Sequence, residues 1–493
     1  MTAGFVDRHG LMSADQAIRA RDLAGRVDKE GLTLIRLVWS DPHGAARAKA
    51  VTVPVFKKAL TDGYNINVAT WTLDSANGRV FASFTPGGGM GLAEMTGSPN
   101  LVIVPDASTF RVLPWAPGVG WVLCDEYFQN GTPFHFSSRH LLRRMVQAIE
   151  GDGMAHIVGL EIEWYLARTV QDRLSDDNIG WPGRRGRPIA TVPIEPGFSY
   201  HSETNLDLMQ PVLSELAGVY AAIGLDLRSM ENEWGPGQVE TTFAPADALK
   251  AADDYLLFRT ATRQVCRRSG YFASFMCRPA LAGHYPSGWH LHQSIVDKAG
   301  RNLLAGGGAA PLSDTGRAFL GGLIEHAVSG CVFATPTVNG YRRFKPNSLA
   351  PDRVGWSFDN RGAMLRVVGG GDDPATRIEN RAGEPAANPY FFIAAQIAAG
   401  RDGMARKLDP RDPDDAPYAA KRAALPSDLG AALEALAGSA FFRKAFGDVF
   451  LDYYLKLKSS ELGRFLEYCR EAGVEPSSAE VTPWEQNEYY DFF

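Results

Sequence analysis

Four segments of this chain place ionisable or metal-ligating side chains at every second position of a strand-like run. In GLEIEWYL, Glu161 and Glu163 stand two residues apart, so both point to one face of an extended strand. GWHLHQS does the same with His290, His292 and Ser294, and TRIENR with Arg377, Glu379 and Arg381. In ENEWGPGQVETTF, Gln238, Glu240 and Thr242 alternate after a Gly-Pro-Gly turn, with Glu233 just before it. The other face of three of these strands is apolar (Leu160, Ile162, Leu291, Ile378). One such strand is an ordinary solvated face. Exposed strand faces favour Thr, Lys and small polar residues, however, and not paired acids in one strand with paired histidines in another. Five carboxylates, two histidines and several arginines turned to one space would repel or bury charge unless something compensates.

Divalent cations and a polyphosphate compensate on both counts. Carboxylate oxygens with one or two imidazoles and no thiolate suit Mg²⁺ or Mn²⁺ better than structural zinc. Arginines are bidentate partners for phosphate and carboxylate. The spacing therefore indicates metal-assisted phosphoryl transfer and leaves the substrates open.

At 493 residues the chain is too long for one ordinary core and fits two or three domains. Its 45% hydrophobic and 22% charged residues are those of a soluble globular protein. A formal net charge of -6 gives no reason to expect nucleic acid or an anionic membrane as partner. No apolar run is long enough to span a bilayer, and the N-terminus lacks the pattern of a secretion signal. The five cysteines are scattered and never spaced C-x-x-C, so reduced thiols in a cytoplasmic protein are expected.

A helical start (Ser13 to Asp28) precedes two apolar runs broken by Asp-Pro-His-Gly, which reads as a β-hairpin. NLVIVPD and GWVLCDEYF read as further strands, so residues 1–130 are expected to form a small sheet-rich domain and 131–493 a larger mixed one. The Gly-rich pieces at 87–89, 306–308 and 369–371 lack the spacing of a phosphate loop or a dinucleotide fingerprint and read as turns. The stretch from Leu425 to Cys469 reads as amphipathic helices.

The order G-x-E-x-E, E-x-G-P-G-Q-x-E, G-x-H-x-H-x-S, N-x-Y-R-R, N-R, then R-x-E-x-R followed by ANPY resembles the glutamine synthetase family over nearly the whole chain. The resemblance implies an α+β fold with an N-terminal β-grasp domain and a larger catalytic domain whose curved antiparallel sheet forms an open funnel. It implies rings of six subunits, often stacked in pairs as a homododecamer, with each site between neighbours. It places one metal at Glu163, Glu233 and Glu240 and another at Glu161, His290 and Glu379. His292, Ser294 and Arg377 match nucleotide-contacting positions, and Arg361 and Arg366 match arginines that grip the transferring phosphate. Arg343 and Arg381 match those holding glutamate, beside Glu163. The implied chemistry is ATP-dependent formation of γ-glutamyl phosphate, which an amine then attacks.

Two departures bear on the amine. Ammonia-using members carry a glutamate after N-x-Y-K-R, where this chain has Leu349. They also carry an Asp-Gly-Ser-Ser element in the small domain, which GYNINVATWTLDSANG lacks; Trp71 lies there instead and is expected to line the amine pocket. Losing both cation-attracting groups points to a small hydrophobic, aniline-like amine. An ammonia-using glutamine synthetase, an alkylamine or polyamine ligase, and a non-catalytic ring protein are the competing readings. Tyr285-Pro286 replaces the family's Asn-Gly, which leaves open whether glutamate is the only acid. Trp164, Trp234 and Trp289 each neighbour a ligand in sequence, and so belong either to the core behind the strand or to the site.

Overall fold

The structure, a computed structural model, describes residues 3–308 and 310–493. Ser13 caps the helix Ala14–Arg26 through a reciprocal capping box with Gln16. The hairpin follows, β1 (Leu34–Ser40) antiparallel to β2 (Ala46–Thr52). In its turn, Asp41 Oδ1 accepts the backbone N–H groups of His43 and Ala45, both at 2.9 Å, and Gly44 adopts φ +76°. A Cβ on Gly44 would lie 2.8 Å from Cα of Asn388, so a larger residue would push the hairpin off the catalytic part of the chain.

The helix Val53–Asp62 leads to β3 (Tyr64–Asn67), β4 (Asn100–Pro105), β5 (Arg111–Val112) and β6 (Val119–Tyr127). The order β2-β1-β6-β4-β3, with β5 on β6, makes one six-stranded sheet. β1 and β6 run parallel, and the helix packs on β1, β2 and β4. A mixed sheet holding a helix after its first hairpin is the β-grasp arrangement.

The second sheet has ten strands built around β7 (Met154–Thr169). Its other members are β8 (Thr191–Pro193), β9 (Leu227–Asn232), β10 (Gln238–Phe243), β11 (Ala246–Asp247), β12 (Tyr271–Ser274) and β13 (Trp289–Asp297). β14 (Trp356–Phe358), β15 (Leu365–Val368) and β16 (Arg377–Gly383) complete it. The main path is β14-β15-β16-β13-β7-β10-β9. The helices Ser138–Gly151 and Ala248–Arg268 pack on β7, and Pro389–Arg406 packs on both. That last helix starts where ANPY dictates: the Asn388 side chain accepts the N–H groups of Tyr390 and Phe391, and Pro389 needs no donor at the first position. Leu160, Ile162, Leu291 and Ile378 are buried on the helix side, and the charged residues of the same strands face away.

Trp164 and Trp289 belong to that core. The Trp164 indole donates to Thr241 Oγ1 at 2.9 Å, and Trp289 stacks on Tyr255 with ring centroids 4.4 Å apart. The Gly-rich pieces are turns, with positive φ at Gly87, Gly88, Gly89, Gly307, Gly308 and Gly369 to Gly371. The C-terminal helices are Leu429–Ala437, Ala440–Phe446 and Asp448–Ala472. The last of these lies against the small domain, with the Tyr453 hydroxyl donating to the Trp71 carbonyl at 2.7 Å. All five cysteines are buried and unpaired, and no helix among the described residues is long and apolar enough to cross a membrane.

Trp71 is where the fold corrects the sequence reading. It closes a short turn, Val68–Trp71, directly after β3, and that turn drives the indole inward between Trp39 and Phe134. Its exposure is 0% within its own chain. A ring with no free surface cannot line a pocket, in this subunit or a neighbour. Asp74 in the same segment is also committed: its carboxylate accepts from Ala76, Gly78 and the Arg464 guanidinium.

Candidate active site

Strand register assembles the site. Across β7, Glu240 lies opposite Glu163 and His290 opposite Glu161. One strand further, His292 pairs with Glu379, and Arg366 faces Glu379 from β15. Side chains separated by more than two hundred residues thus share one face of the sheet. They line a cavity of about 1580 Å³ with Glu233, Ser294, Leu349, Arg361 and Arg377 around it, and the fully buried Glu379 lies in the wall behind Arg366.

Two glycines make room. A Cβ on Gly288 would lie 2.7 Å from Arg343 Nη2 and 2.8 Å from His290 Nε2. A Cβ on Gly159 would press on His292 Cβ at 3.2 Å. The Gly288 N–H donates to Glu163 Oε2 at 2.9 Å, and Gln238 Nε2 donates to the same oxygen at 3.0 Å, so the carboxylate is aimed before any ligand arrives.

Ligand atoms of Glu161, Glu240 and His290 converge within 4.8 Å of one another, as do those of Glu161, His292 and Glu379. His290 Nδ1 is 2.5 Å from Glu161 Oε1, and His292 Nε2 is 2.9 Å from Glu161 Oε2. This grouping differs from the expected one. His292, expected at the nucleotide, joins a carboxylate cluster, because its strand position faces both Gly159 and Glu379. Glu163 lies 3.7 Å from His290 Nε2, at the edge of the first cluster.

Electrostatics divides the carboxylates. Burial opposes ionisation of Glu161, but the hydrogen bonds from His290 and His292 outweigh it and hold its carboxyl far below the ordinary range. Burial also opposes ionisation of Glu379, yet Arg381, followed by the two imidazoles, lowers its pKa to about 2. Glu233 and Glu240 have no such partners. Burial and then Glu163 push Glu233 up to about 8; burial and then Glu161, Glu163 and Glu233 push Glu240 up to about 10. Were all of its carboxylates ionised, this half of the site would carry more negative charge than the protein itself neutralises, so without a cation Glu233 and Glu240 hold their protons at neutral pH. An oxygen-rich, thiolate-free donor set with surplus negative charge fits a hard divalent cation.

The arginines take two kinds of position. Arg366 reaches Glu379 Oε2 at 2.9 Å and also binds Asp359, and Arg381 Nη1 reaches Glu379 Oε1 at 2.5 Å. Arg377 donates to His292 Nδ1 at 3.1 Å. Arg343 is buried and pinned by two carbonyls, those of Gly383 (3.0 Å) and Arg381 (2.7 Å). Arg361 is exposed at the cavity wall. Leu349 lines the cavity too, 54% exposed, and its carbonyl accepts from Arg381 at 3.3 Å.

Of the rings at the cavity mouth the sequence reading passed over Tyr200, and it named Tyr285 only as a departure near the acid substrate. Tyr200 and Tyr285 line the mouth together with Trp234, which sequence left between core and site and which is 39% exposed. The only signal available was the position of each ring beside a Gly- or Pro-rich turn.

The acids, imidazoles and arginines gathered on one face of the ten-stranded sheet agree with the comparison: residues 135–489 match the family profile described as glutamine synthetase, catalytic domain. The chain belongs to the glutamine synthetase family. Within it, the chain is 42% identical over 493 residues to a γ-glutamylanilide synthase of Acinetobacter sp, an alignment covering 99% of this chain and 98% of that protein. It is 30% identical to a glutamate–isopropylamine ligase of Pseudomonas sp, covering 97% and 98%. A solved GmaS/ADP complex superposes with a TM-score of 0.75 at 27% identity, covering 92% of this chain and 99% of that one.

Proposed function

We propose that this protein joins the γ-carboxylate of L-glutamate to a small hydrophobic, aniline-like amine, converting ATP to ADP and phosphate. Leu349 carries the reading of the amine. An alkylamine or ammonia is protonated near neutral pH, so its site needs an acid to attract the cation and a group to take its proton. An aromatic amine is already largely neutral there and needs a dry apolar surface instead. At the mouth of this cavity stands a leucine, and Asp74 of the small domain is locked to Arg464. The 42% identity to a γ-glutamylanilide synthase supports the same amine.

The chain's residues divide the work as follows. Glu161, Glu163, Glu233, Glu240, His290 and Glu379 would hold two or more Mg²⁺ or Mn²⁺ ions, which neutralise the triphosphate. Ser294 and Arg377 hold the nucleotide, His292 stands beside them with Glu161 and Glu379 on the cation side, and Arg361 and Arg366 hold the transferring phosphoryl group. Arg343 and Arg381 bind glutamate. A γ-carboxylate oxygen attacks the terminal phosphorus and the bond to ADP breaks. The amine nitrogen then attacks the acyl carbon, the carbon–oxygen bond to phosphate breaks, and the nitrogen's proton passes to the departing phosphate or to water. Exclusion of water protects the acyl phosphate meanwhile.

The reading includes a β-grasp unit over residues 1–130, a catalytic unit over 131–493, cytoplasmic location, and assembly into stacked six-membered rings with sites between subunits. An ammonia-using enzyme is the second reading, kept because the family contains such members; Leu349 argues against it. Phosphate release with glutamate and ATP across a panel of amines tests the proposal. Aniline-type amines should be preferred. Preference for ammonia or a diamine over every aromatic amine overturns it.

A further inference from the structure

Strand register orders the two ends of the cavity. Ser294 and His292 pair with Ile157 and Gly159 of β7, whereas Gln238 pairs with Tyr165 at the far end. At about 3.3 Å per residue, Ile157 and Tyr165 lie roughly 26 Å apart along the strand. The exposed rings gather at the Tyr165 end. The Tyr285 N–H donates to the Tyr165 hydroxyl, and that hydroxyl donates to the Tyr285 carbonyl, both at 2.7 Å. A Cβ on Gly235, next to Trp234, would lie 2.1 Å from the same hydroxyl.

Here the chain builds a rigid aromatic surface. The buried Glu195 carboxylate accepts the Gly197 N–H at 2.5 Å and also the Gly237 N–H, tying the loop 195–201 to the β9–β10 turn. The Phe198 N–H donates to the Trp234 carbonyl at 2.8 Å, and the His201 N–H to the Asn232 carbonyl at 3.1 Å. Tyr200 stacks on Trp234 with centroids 5.3 Å apart and planes 8° from parallel, and on His201 at 3.8 Å. Tyr200 remains 46% exposed within its own chain, whose other large rings are mostly core. Phe198, His201 and Leu349 all adopt positive φ, at 57°, 56° and 59°. Left-handed backbone is strained for non-glycine residues, and strain of this kind clusters at ligand clamps.

We infer that Trp234 and Tyr200 are the platform on which the aryl ring of the amine stacks, with Tyr285 at its edge and Leu349 elsewhere in the wall of the same cavity. The inference rests on the proposed aniline-like amine and names the side chains that select it. The platform lies at the opposite end of β7 from His292 and Ser294, too far to serve the adenine of a nucleotide whose phosphates meet the carboxylates between. It adjoins Glu233, so a ring stacked there carries its nitrogen towards the glutamate end of the site. Glu195 is a positioning residue: it sets the loop that presents Tyr200.

The test compares kcat/KM for aniline with kcat/KM for hydroxylamine, a neutral nucleophile without a ring, in the full-length protein. In Trp234→Ala and Tyr200→Ala the aniline-to-hydroxylamine ratio should fall on the order of ten-fold, the worth of one aromatic stacking contact. Trp234→Phe should restore most of it, and Trp234→Leu, which keeps apolar bulk, should not. Glu195→Gln should lower the ratio in the same direction. An unmodified enzyme without activity on aniline overturns both this inference and the proposed function. An unmodified enzyme that uses aniline, with the ratio unchanged in Trp234→Ala, Trp234→Leu and Tyr200→Ala, overturns the platform alone.

Discussion

Replacing Glu240 with glutamine should make the cation-free protein more stable while removing its activity. Glu240 faces Glu163 across the β7–β10 ladder, and burial followed by the charges of Glu161, Glu163 and Glu233 raises its pKa from 4.5 to about 10. An acid whose folded pKa lies above its unfolded value destabilises the fold at every pH above the unfolded value. That cost grows with pH until the folded value is passed. At pH 7 the interval is about 2.5 units, which at about 1.36 kcal/mol per unit sets an upper bound near 3 kcal/mol. Partial access of water to the cavity reduces this to roughly 2 kcal/mol. Glutamine keeps the shape and removes the charge. With an unfolding entropy on the order of 1 kcal/mol/K for a chain of this length, the variant should melt roughly 2 °C higher in EDTA. The melting point of the unmodified protein in EDTA should fall as pH rises from 5 to 9, because the native state holds the extra proton, and the variant's should fall less. Saturating Mg²⁺ should reverse the order, since only the unmodified protein offers the full carboxylate set. Phosphate release at saturating Mg²⁺ should drop on the order of 10³-fold in the variant. Scanning calorimetry in EDTA and in Mg²⁺, beside that assay, decides the matter. A variant no more stable than its parent in EDTA, with near-normal turnover in Mg²⁺, refutes the reasoning.

Gly288→Ala would set a Cβ 2.7 Å from Arg343 Nη2, and that guanidinium is held by two buried carbonyls, so it can yield only by losing a hydrogen bond. A displacement approaching 1 Å should cost about 10²-fold in kcat/KM; Gly218→Ala, where a Cβ meets nothing within 4 Å, is the control, and equal rates in the two would remove the geometric argument. Arg343→Ala and Arg381→Ala should raise KM for glutamate roughly 10- to 100-fold, the loss of a charge-assisted contact, and more than KM for ATP. Collapse of ATP affinity with glutamate untouched would reassign them. Leu349→Glu should reduce use of aniline-like amines and increase the share of ammonia in a competition assay, and an unchanged preference would show that position 349 does not choose the amine.

The alternation of Glu161 with Glu163, and of His290 with His292, was legible in sequence because side-chain direction along a strand is local backbone geometry. So were the hairpin turn at Asp41 to Gly44 and the helical start at Ser13, where short polar side chains bond their own neighbours. Local rules also said that Trp164 and Trp289 point away from their charged neighbours. They could not say which strands lie side by side. That His292 shares a cluster with Glu161 and Glu379 depends on β13 lying between β7 and β16, pairings that join segments distant in the chain. Trp71 shows the same limit from the other side. Its segment has no periodicity to mark an inner face, and only the tertiary packing of Trp39, Phe134 and the C-terminal helix around the turn encloses it. Trp234 and Tyr200 lie in turns, where side-chain direction follows from loop closure and not from a repeat. Their stack exists because Glu195 binds two backbone N–H groups from segments about forty residues apart. The sequence alone determined the chemistry of the wall, because periodicity is a property of neighbours. Tertiary structure decided its grouping and its mouth, because long-range pairing and loop docking are properties of the whole chain.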